Sequence, residues 1–228
     1  MNAVVNQLAE VRKKIADATL SAGRESGSVR LLAVSKTKTA AELLCVYREG
    51  QRDFGENYLQ EALDKQKQLS DCEIMWHFIG PIQSNKTRAI AEHFDWVHSV
   101  DRLKIARRLS EQRPEERGPL NICLQVNISN EVSKSGLSLQ DLPDLVKAVS
   151  ELPNLRLRGL MAIPAKLFAN RDEQRIPFAR LRETLEKMKE QGYSVDTLSM
   201  GMTEDLEIAI SEGATWVRVG RAIFGERN

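Results

Sequence analysis

The sequence predicts an α/β fold, a single (β/α)8 barrel of the TIM type with one extra helix at its N-terminus. Short apolar runs alternate with helix-forming stretches along almost the whole chain, and no linker divides the pattern. The 228 residues are slightly fewer than the ~250 of a typical barrel. We therefore expect one domain spanning residues 1–228.

Composition excludes several classes of protein. With 42% hydrophobic and 29% charged residues and a net charge of +1, the chain does not have the profile of a nucleic-acid-binding protein or one recruited to anionic membranes. No signal peptide or membrane-spanning run is visible. The three cysteines lie far apart, which favours reduced thiols and a cytoplasmic location, and the histidines show no metal-ligand spacing.

The first half of the chain predicts four strand–helix units after the extra helix. Apolar residues at helical spacing place that helix near residues 3–21, and Leu31–Val34 is the first buried strand. Thr39 and Glu42 match a capping box that opens a helix at 39–49. Further strands are predicted at 52–57, 74–80 and 95–100. The helix after the first of these strands ends near Gln68, and the next two helices start at caps formed by Ser84 and by Asp101.

The second half predicts four more units. The strands are expected at 120–128, 155–163, 197–201 and 215–220. The first helix starts near Asp141, the second spans 177–191, the third starts at a cap formed by Thr203, and the fourth is a single turn at 221–224. A polar turn at 129–136 carries Lys134. The long connection at 164–176 is of the length typical of a lid or binding loop.

Lys36 is the first candidate for chemistry. It follows the first buried strand directly, at the edge where parallel α/β folds bind ligands. A lysine at the rim of an apolar barrel is partly desolvated, which favours the neutral, nucleophilic amine that forms Schiff bases. The alternative is a solvated lysine in a loop.

Two glycine-containing turns follow the seventh and eighth strands, where barrel enzymes often hold a phosphate. Ser199 offers a hydroxyl, and Gly201 and Gly220 allow the backbone to approach phosphate oxygens closely. The alternative is that these glycines only permit turns. Together the two turns favour a phosphate site.

Two further polar residues end strands near Lys36. Arg218 lies near the carboxyl end of the eighth strand, which pairs with the first when a barrel closes; alternatively, it points outward between helices. Asn57, after the second strand, is either a ligand contact or a helix N-cap. We interpret His77 as a packed or hydrogen-bonded strand residue, not as a catalytic acid.

A Schiff-base lysine, a phosphate site and an arginine between them suggest pyridoxal 5′-phosphate (PLP). The sequence resembles the pyridoxal phosphate homeostasis proteins, the YggS-type family with an alanine-racemase-like barrel. The resemblance covers nearly the whole chain and is carried by Ala33-Val34-Ser35-Lys36-Thr37, Phe54-Gly55-Glu56-Asn57-Tyr58, Trp76-His77-Phe78-Ile79-Gly80, Gln83-Ser84-Asn85-Lys86, Arg158-Gly159-Leu160-Met161, Leu198-Ser199-Met200-Gly201-Met202, Val217-Arg218-Val219-Gly220 and Ala222-Ile223-Phe224-Gly225.

The resemblance implies a PLP fold of type III without a C-terminal β domain, and a role for each residue. Lys36 would bind the cofactor covalently, and Arg218 would face the pyridine nitrogen. Ser199, Gly201 and Gly220 would bind the phosphate, and Asn57 and Met161 would contact the ring. Arg221 departs from the family, where a threonine often follows the glycine; its amide or its guanidinium could still serve the phosphate.

Three functions remain open from the sequence. The first is a monomeric, cytoplasmic protein that binds PLP reversibly and buffers it or delivers it to PLP-requiring apoenzymes. The second is an amino-acid racemase with weak activity, which would need a second base; related racemases take a tyrosine from an additional β domain, and Tyr47, Tyr58 and Tyr193 do not replace it. The third is a class I aldolase-like barrel acting on a sugar phosphate.

Overall fold

The computed structural model describes residues 2–129, 135–164 and 170–225, and it shows a closed barrel of eight parallel strands. The strands follow one another around the barrel in chain order, and the first pairs with the last. They are β1 (Arg30–Val34), β2 (Asp53–Glu56), β3 (Met75–Phe78), β4 (Trp96–Val100), β5 (Leu120–Gln125), β6 (Leu155–Met161), β7 (Thr197–Ser199) and β8 (Trp216–Val219). The predicted (β/α)8 barrel is confirmed.

Helices surround the barrel, and the extra N-terminal helix packs against the last two helices of the chain. They are α1 (Asn2–Ser21), α2 (Ala40–Arg48), α3 (Leu59–Gln68), α4 (Thr87–His93), α5 (Leu103–Gln112), α6 (Leu142–Ser150), α7 (Arg171–Glu190), α8 (Leu206–Ser211) and α9 (Arg221–Phe224). Within the described ranges, none of them combines the length and the apolar character that a bilayer span requires.

The helix starts were predicted with mixed success. The capping box is confirmed: Thr39 Oγ1 accepts from the Glu42 amide at 3.3 Å, and Glu42 Oε2 accepts from the Thr39 amide at 2.7 Å. The caps predicted at Ser84 and Asp101 are wrong. Ser84 begins a 3-10 turn, so α4 starts three residues later. The Asp101 carboxylate instead accepts a bond from Arg102 Nη1 at 2.6 Å.

The connection predicted at 164–176 is shorter than expected, because α7 begins at Arg171. Asn170 caps this helix, accepting a bond from the Glu173 amide at 2.9 Å. Pro177 was taken as the helix start, but it lies inside the helix. The apolar face that α7 buries beyond Pro177 offsets the one hydrogen bond that the proline removes. Lys134 and residues 165–169 lie outside the described residues.

The inside of the barrel differs from the aliphatic filling that is usual for this fold. The imidazole of His77 stacks on Trp96 with 5.6 Å between ring centroids and meets Trp216 edge-on at 5.0 Å. His98 lies 5.2 Å from His77. These rings come from β3, β4 and β8, which do not all neighbour one another, so they meet in the barrel interior. The expectation of an apolar barrel is therefore wrong for the part of its inner face where these histidine and tryptophan rings meet.

Candidate functional site

A cavity of about 470 Å³ opens at the carboxyl ends of the strands, within the size range of small-molecule sites. It lies beside the β1–β8 pair that closes the barrel. The structure brings most of the predicted site residues together in its lining: Lys36, Asn57, Met161, Arg218, Gly220 and Arg221. Ser199 and Gly201 lie behind the wall and do not line it.

Lys36 stands two residues beyond β1, half-buried, and lines the cavity. The next residue, Thr37, has a φ of +64°, the one positive φ among the described residues that are not glycine. Such a conformation is costly for a β-branched residue and persists where neighbouring contacts enforce it. One such contact is the bond from the Thr37 amide to Glu61 Oε1 at 2.6 Å.

A buried ionic cluster supports the same turn from behind. Lys65, which is 3% exposed, donates to the Ser35 carbonyl oxygen at 2.7 Å and to Glu56 Oε1 at 2.8 Å, and it also pairs with Glu61. The Ser35 hydroxyl donates to the same Glu56 oxygen at 2.6 Å. Burial raises the pKa of Glu56, and Lys65 opposes that shift. The backbone on both sides of Lys36 is thus held by charged groups of β2 and α3.

Arg218 is buried within β8 and reaches the cavity wall. Its Nη1 donates to Ser199 Oγ at 2.8 Å, and its Nη2 donates to the Ala162 carbonyl oxygen at 2.9 Å. Burial lowers its pKa to about 10, and the negative charge of Asp205 opposes the shift. The side chain therefore remains a cation at neutral pH, and the outward-pointing alternative is wrong.

Asn57 follows β2 and lines the cavity. Its Oδ1 is buried and has no hydrogen-bond partner within the described residues. The N-cap position of α3 is occupied by Tyr58, so the alternative that Asn57 is a helix cap is wrong. Gly80 packs closely on the Asn57 backbone, because a Cβ on Gly80 would lie 2.2 Å from the Asn57 carbonyl oxygen. The Asn57 side chain therefore has unused hydrogen-bonding capacity at the cavity.

The turn after β7 contributes residues that the sequence did not indicate. Met202, Thr203, Glu204 and Asp205 all line the cavity. The predicted Thr203 cap is wrong, because α8 begins at Leu206 and the Asp205 carboxylate accepts a bond from the Met202 amide. The sequence did contain a signal for this turn: Met202 and Thr203 directly follow Gly201 in the glycine-containing turn that was predicted to hold a phosphate.

The two glycines predicted for the phosphate site have different surroundings. Gly201 has a φ of +92°, and a Cβ there would lie 2.5 Å from the Ala209 Cβ of α8, so this glycine permits close helix packing. Gly220 lines the cavity, and a Cβ there would lie 2.9 Å from the Val34 carbonyl oxygen. The roles of both glycines toward a phosphate stay predictions.

Ser199 is fully buried at the end of β7. Besides accepting from Arg218, its hydroxyl lies 2.8 Å from His98 Nδ1. His77 lies beside His98 and contacts the Asp53 carboxylate at 3.1 Å, which confirms its interpretation as a hydrogen-bonded strand residue. The phosphate role predicted for Ser199 is not tested by this placement of its side chain.

Positive charge exceeds negative charge around the cavity. Besides Lys36, its lining includes Lys38, Arg218 and Arg221 against the carboxylates of Glu204 and Asp205. Lys38 Nζ donates to the Phe224 carbonyl oxygen at 2.9 Å, and exposed Arg221 lies 3.8 Å from Glu204. Such a lining suits an anionic ligand. Within the described residues, no group of histidine, cysteine and carboxylate side chains is arranged to hold a metal ion.

Comparisons with known proteins identify the family of this chain. The family model of the alanine racemase N-terminal domain matches residues 8–228. The pyridoxal phosphate homeostasis protein of Pseudomonas aeruginosa is 61% identical over 228 residues, covering 100% of this chain and 97% of that protein. The protein of the same name from Escherichia coli K12 is 49% identical over 237 residues, covering 100% of this chain and 98% of its own length.

Solved structures show the same architecture. PipY of Synechococcus elongatus, solved with PLP bound, has 39% sequence identity and a TM-score of 0.81 over 92% of this chain and 100% of PipY. Alanine racemase from Corynebacterium glutamicum, at 18% identity and a TM-score of 0.70, shares the fold over 97% of this chain and 60% of the racemase. The chain belongs to the alanine racemase N-terminal domain family and, within it, to the pyridoxal phosphate homeostasis proteins.

Proposed function

We propose that this chain binds PLP reversibly through a Schiff base on Lys36 and acts in PLP homeostasis by buffering and delivering the cofactor. The observation that carries the proposal is the meeting of Lys36 and Arg218 in one cavity, on the adjacent strands β1 and β8. Relatives that match the whole chain carry the homeostasis name, and PipY was solved with PLP bound.

The residues present fit this cofactor. PLP supplies an aldehyde, which condenses with a primary amine and releases water, and an aromatic ring that withdraws electrons from the attached carbon. Lys36 offers the amine. Each terminal nitrogen of Arg218 has one described hydrogen bond, which leaves a second N–H to donate to the pyridine nitrogen. The Asn57 amide can bond the ring hydroxyl, and Met161 supplies an apolar surface.

The phosphate is best accommodated by the turns after β7 and β8. Gly220 and Arg221 line one side of this part of the cavity, and the turn of Met202 and Thr203 lines another. Backbone amides and a guanidinium are the donors that phosphate oxygens accept from most strongly. Ser199 and Gly201 support these turns from behind the wall.

The site favours a carrier over an enzyme. Arg218 would donate to the ring nitrogen of bound PLP without protonating it, and the ring would then be a weak sink for electrons. A racemase also needs a second base, and no tyrosine is among the described residues that line the cavity. The likeness to alanine racemase, at 18% identity, concerns the fold alone. We further propose that the chain acts as a monomeric domain in the cytoplasm and meets PLP-requiring apoenzymes transiently.

Borohydride trapping tests the proposal. The purified protein should absorb visible light after addition of PLP, and mass spectrometry after reduction should find the phosphopyridoxyl label on Lys36. Lys38→Met, which changes a second lysine of the cavity lining, is the matched control and should keep the label on Lys36. A label mainly on another lysine, with Lys36→Ala still yellow, would refute the assignment. Turnover of amino acids above a heat-treated control would refute the carrier role.

A further inference from the structure

Five side chains form one hydrogen-bonded chain through the barrel interior. Arg218 Nη1 lies 2.8 Å from Ser199 Oγ, which lies 2.8 Å from His98 Nδ1. His98 Nε2 lies 3.0 Å from His77 Nδ1, and His77 Nε2 lies 3.1 Å from Asp53 Oδ1. Asp53 starts β2, at the amino-terminal end of the barrel, so the chain spans the interior from that end to the cavity.

The direction of every bond in this chain follows once both imidazoles are neutral and Asp53 is ionised. The carboxylate only accepts, so His77 donates to it from Nε2 and accepts at Nδ1 from His98 Nε2. His98 Nδ1 then accepts the Ser199 hydroxyl proton, and Ser199 Oγ accepts from Arg218, because a guanidinium only donates. Both imidazoles carry their proton on Nε2 in this arrangement. A doubly protonated His77 would reverse the bond between the imidazoles and the bond between His98 and Ser199.

Burial supports the neutral state of both rings. Desolvation lowers the pKa of His98, and the charge of Arg218 lowers it further. Desolvation also lowers the pKa of His77; Arg30 acts in the same direction, whereas Asp53 and Asp95 oppose it.

We propose that Ser199, His98, His77 and Asp53 are positioning residues that hold the Arg218 guanidinium at the cavity wall. Because the single Ser199 proton is given to His98, the hydroxyl does not donate to a phosphate and acts on a ligand through Arg218. The second fixed point of the guanidinium is the Ala162 carbonyl oxygen at 2.9 Å. The assignment of Arg218 to the pyridine ring rests on the proposed function, but the order of the hydrogen bonds does not.

Nitrogen-15 NMR of histidine-labelled protein tests that order without any cofactor. The chain has three histidines, and His93 is exposed at the end of α4, so His93→Gln identifies its signals and leaves those of the buried pair. Both buried rings should be neutral at neutral pH, with the proton on Nε2. A proton on Nδ1 of either ring, or a doubly protonated ring, would overturn the proposal.

Ser199→Ala separates positioning from phosphate binding. The variant should bind PLP and phosphate-free pyridoxal more weakly by a similar factor, roughly tenfold, because the lost bond orients a group at the ring. It should also shift the pH titration of the visible absorption band. Ser99→Ala removes another buried hydroxyl of the same barrel, which donates to the Gly80 carbonyl oxygen at 2.5 Å, and it should leave both affinities unchanged.

The outcomes are distinct. A loss confined to PLP, or no loss in Ser199→Ala, would overturn the positioning role. If the wild-type protein bound neither compound, the proposed function would fail, while the histidine spectra would still decide whether the hydrogen-bonded chain has the inferred order.

Discussion

Lys65 donates a hydrogen bond to the carbonyl oxygen of Ser35 over 2.7 Å and thereby fixes the residue immediately before Lys36. The donor belongs to α3 and the acceptor follows β1, so the position of the candidate Schiff-base lysine depends on a charge from another unit of the barrel. The same ammonium group pairs with Glu56, whose side chain is fully buried.

Lys65→Met should destabilise the fold strongly, by about 3–5 kcal/mol, because it leaves the Glu56 carboxylate buried without its cation. Urea unfolding followed by circular dichroism measures the loss. Lys67→Met, on an exposed position of the same helix, is the matched control and should change little. Adding Glu56→Gln to Lys65→Met should recover part of the stability; a double variant no more stable than the single one would contradict this explanation.

Stability should fall as the pH drops below the ordinary histidine pKa of 6.5, partly because of His98. Burial lowers the pKa of His98 in the folded state, so the unfolded state takes up a proton there first and unfolding is favoured. The stabilising contribution is therefore present above pH 6.5 and lost as the pH falls through the folded pKa. His98→Gln should lose less free energy of unfolding than wild type between about pH 8 and about pH 5.

His93→Gln is the control for this pH dependence, because His93 is exposed. It should keep the wild-type slope of unfolding free energy against pH. A His98→Gln slope equal to that of wild type would show that His98 is not held neutral by burial.

Arg218→Glu should raise the pH midpoint of the visible band of bound PLP. A carboxylate favours a protonated ring nitrogen, and it also removes the positive charge that the arginine places near Lys36. Slow transamination with added amino acids is expected in the same variant, since the ring regains its electron-withdrawing power. Arg88→Glu makes the same change of charge at an exposed position of α4, outside the cavity lining, and should leave the midpoint unchanged. An unchanged midpoint in Arg218→Glu, with PLP fully bound, would place this side chain away from the ring.

Pyridoxal should bind roughly 100-fold more weakly than PLP, because the phosphate accepts charge-assisted hydrogen bonds that the ring does not. Titration of the visible band with each compound measures the ratio. Thr203→Ala should weaken PLP and leave pyridoxal unchanged, in contrast to Ser199→Ala, since Thr203 lines the cavity and Ser199 does not. Equal affinity for the two compounds would refute a phosphate site at these turns.

The barrel and the position of Lys36 could be predicted because their signals are local. Most of the strands are short apolar runs, and a residue that follows such a run lies at the carboxyl edge of a parallel sheet. The Thr39–Glu42 capping box is local in the same sense and was predicted correctly. Pro177 misled the prediction, because burial of the α7 face outweighs the rule that proline starts helices.

The polar interior could not be predicted, because it joins side chains of β2, β3 and β4 to side chains of β7 and β8, which are far apart in the sequence. His77 and His98 are polar residues within apolar runs, and nothing in their own segments tells which side of the strand they occupy. The placement of Ser199 behind the wall depends on Arg218, nineteen residues later. Thr203 was assigned to a helix because its sequence matches a cap, whereas the extended turn depends on the contact between Asp205 and Met202.

Because β1 pairs with β8, the barrel can close only after the eighth strand has been synthesised. During synthesis, one edge of β1 stays unpaired until the eighth strand is available. Until then Lys36, which follows β1, has no Arg218 beside it. A nascent chain thus has Lys36, the proposed Schiff-base lysine, but no complete cavity around it. We therefore expect PLP to bind only after the chain is complete. A chain that ended before β8 would expose the unpaired edge of β1, which favours aggregation and recognition by chaperones and proteases.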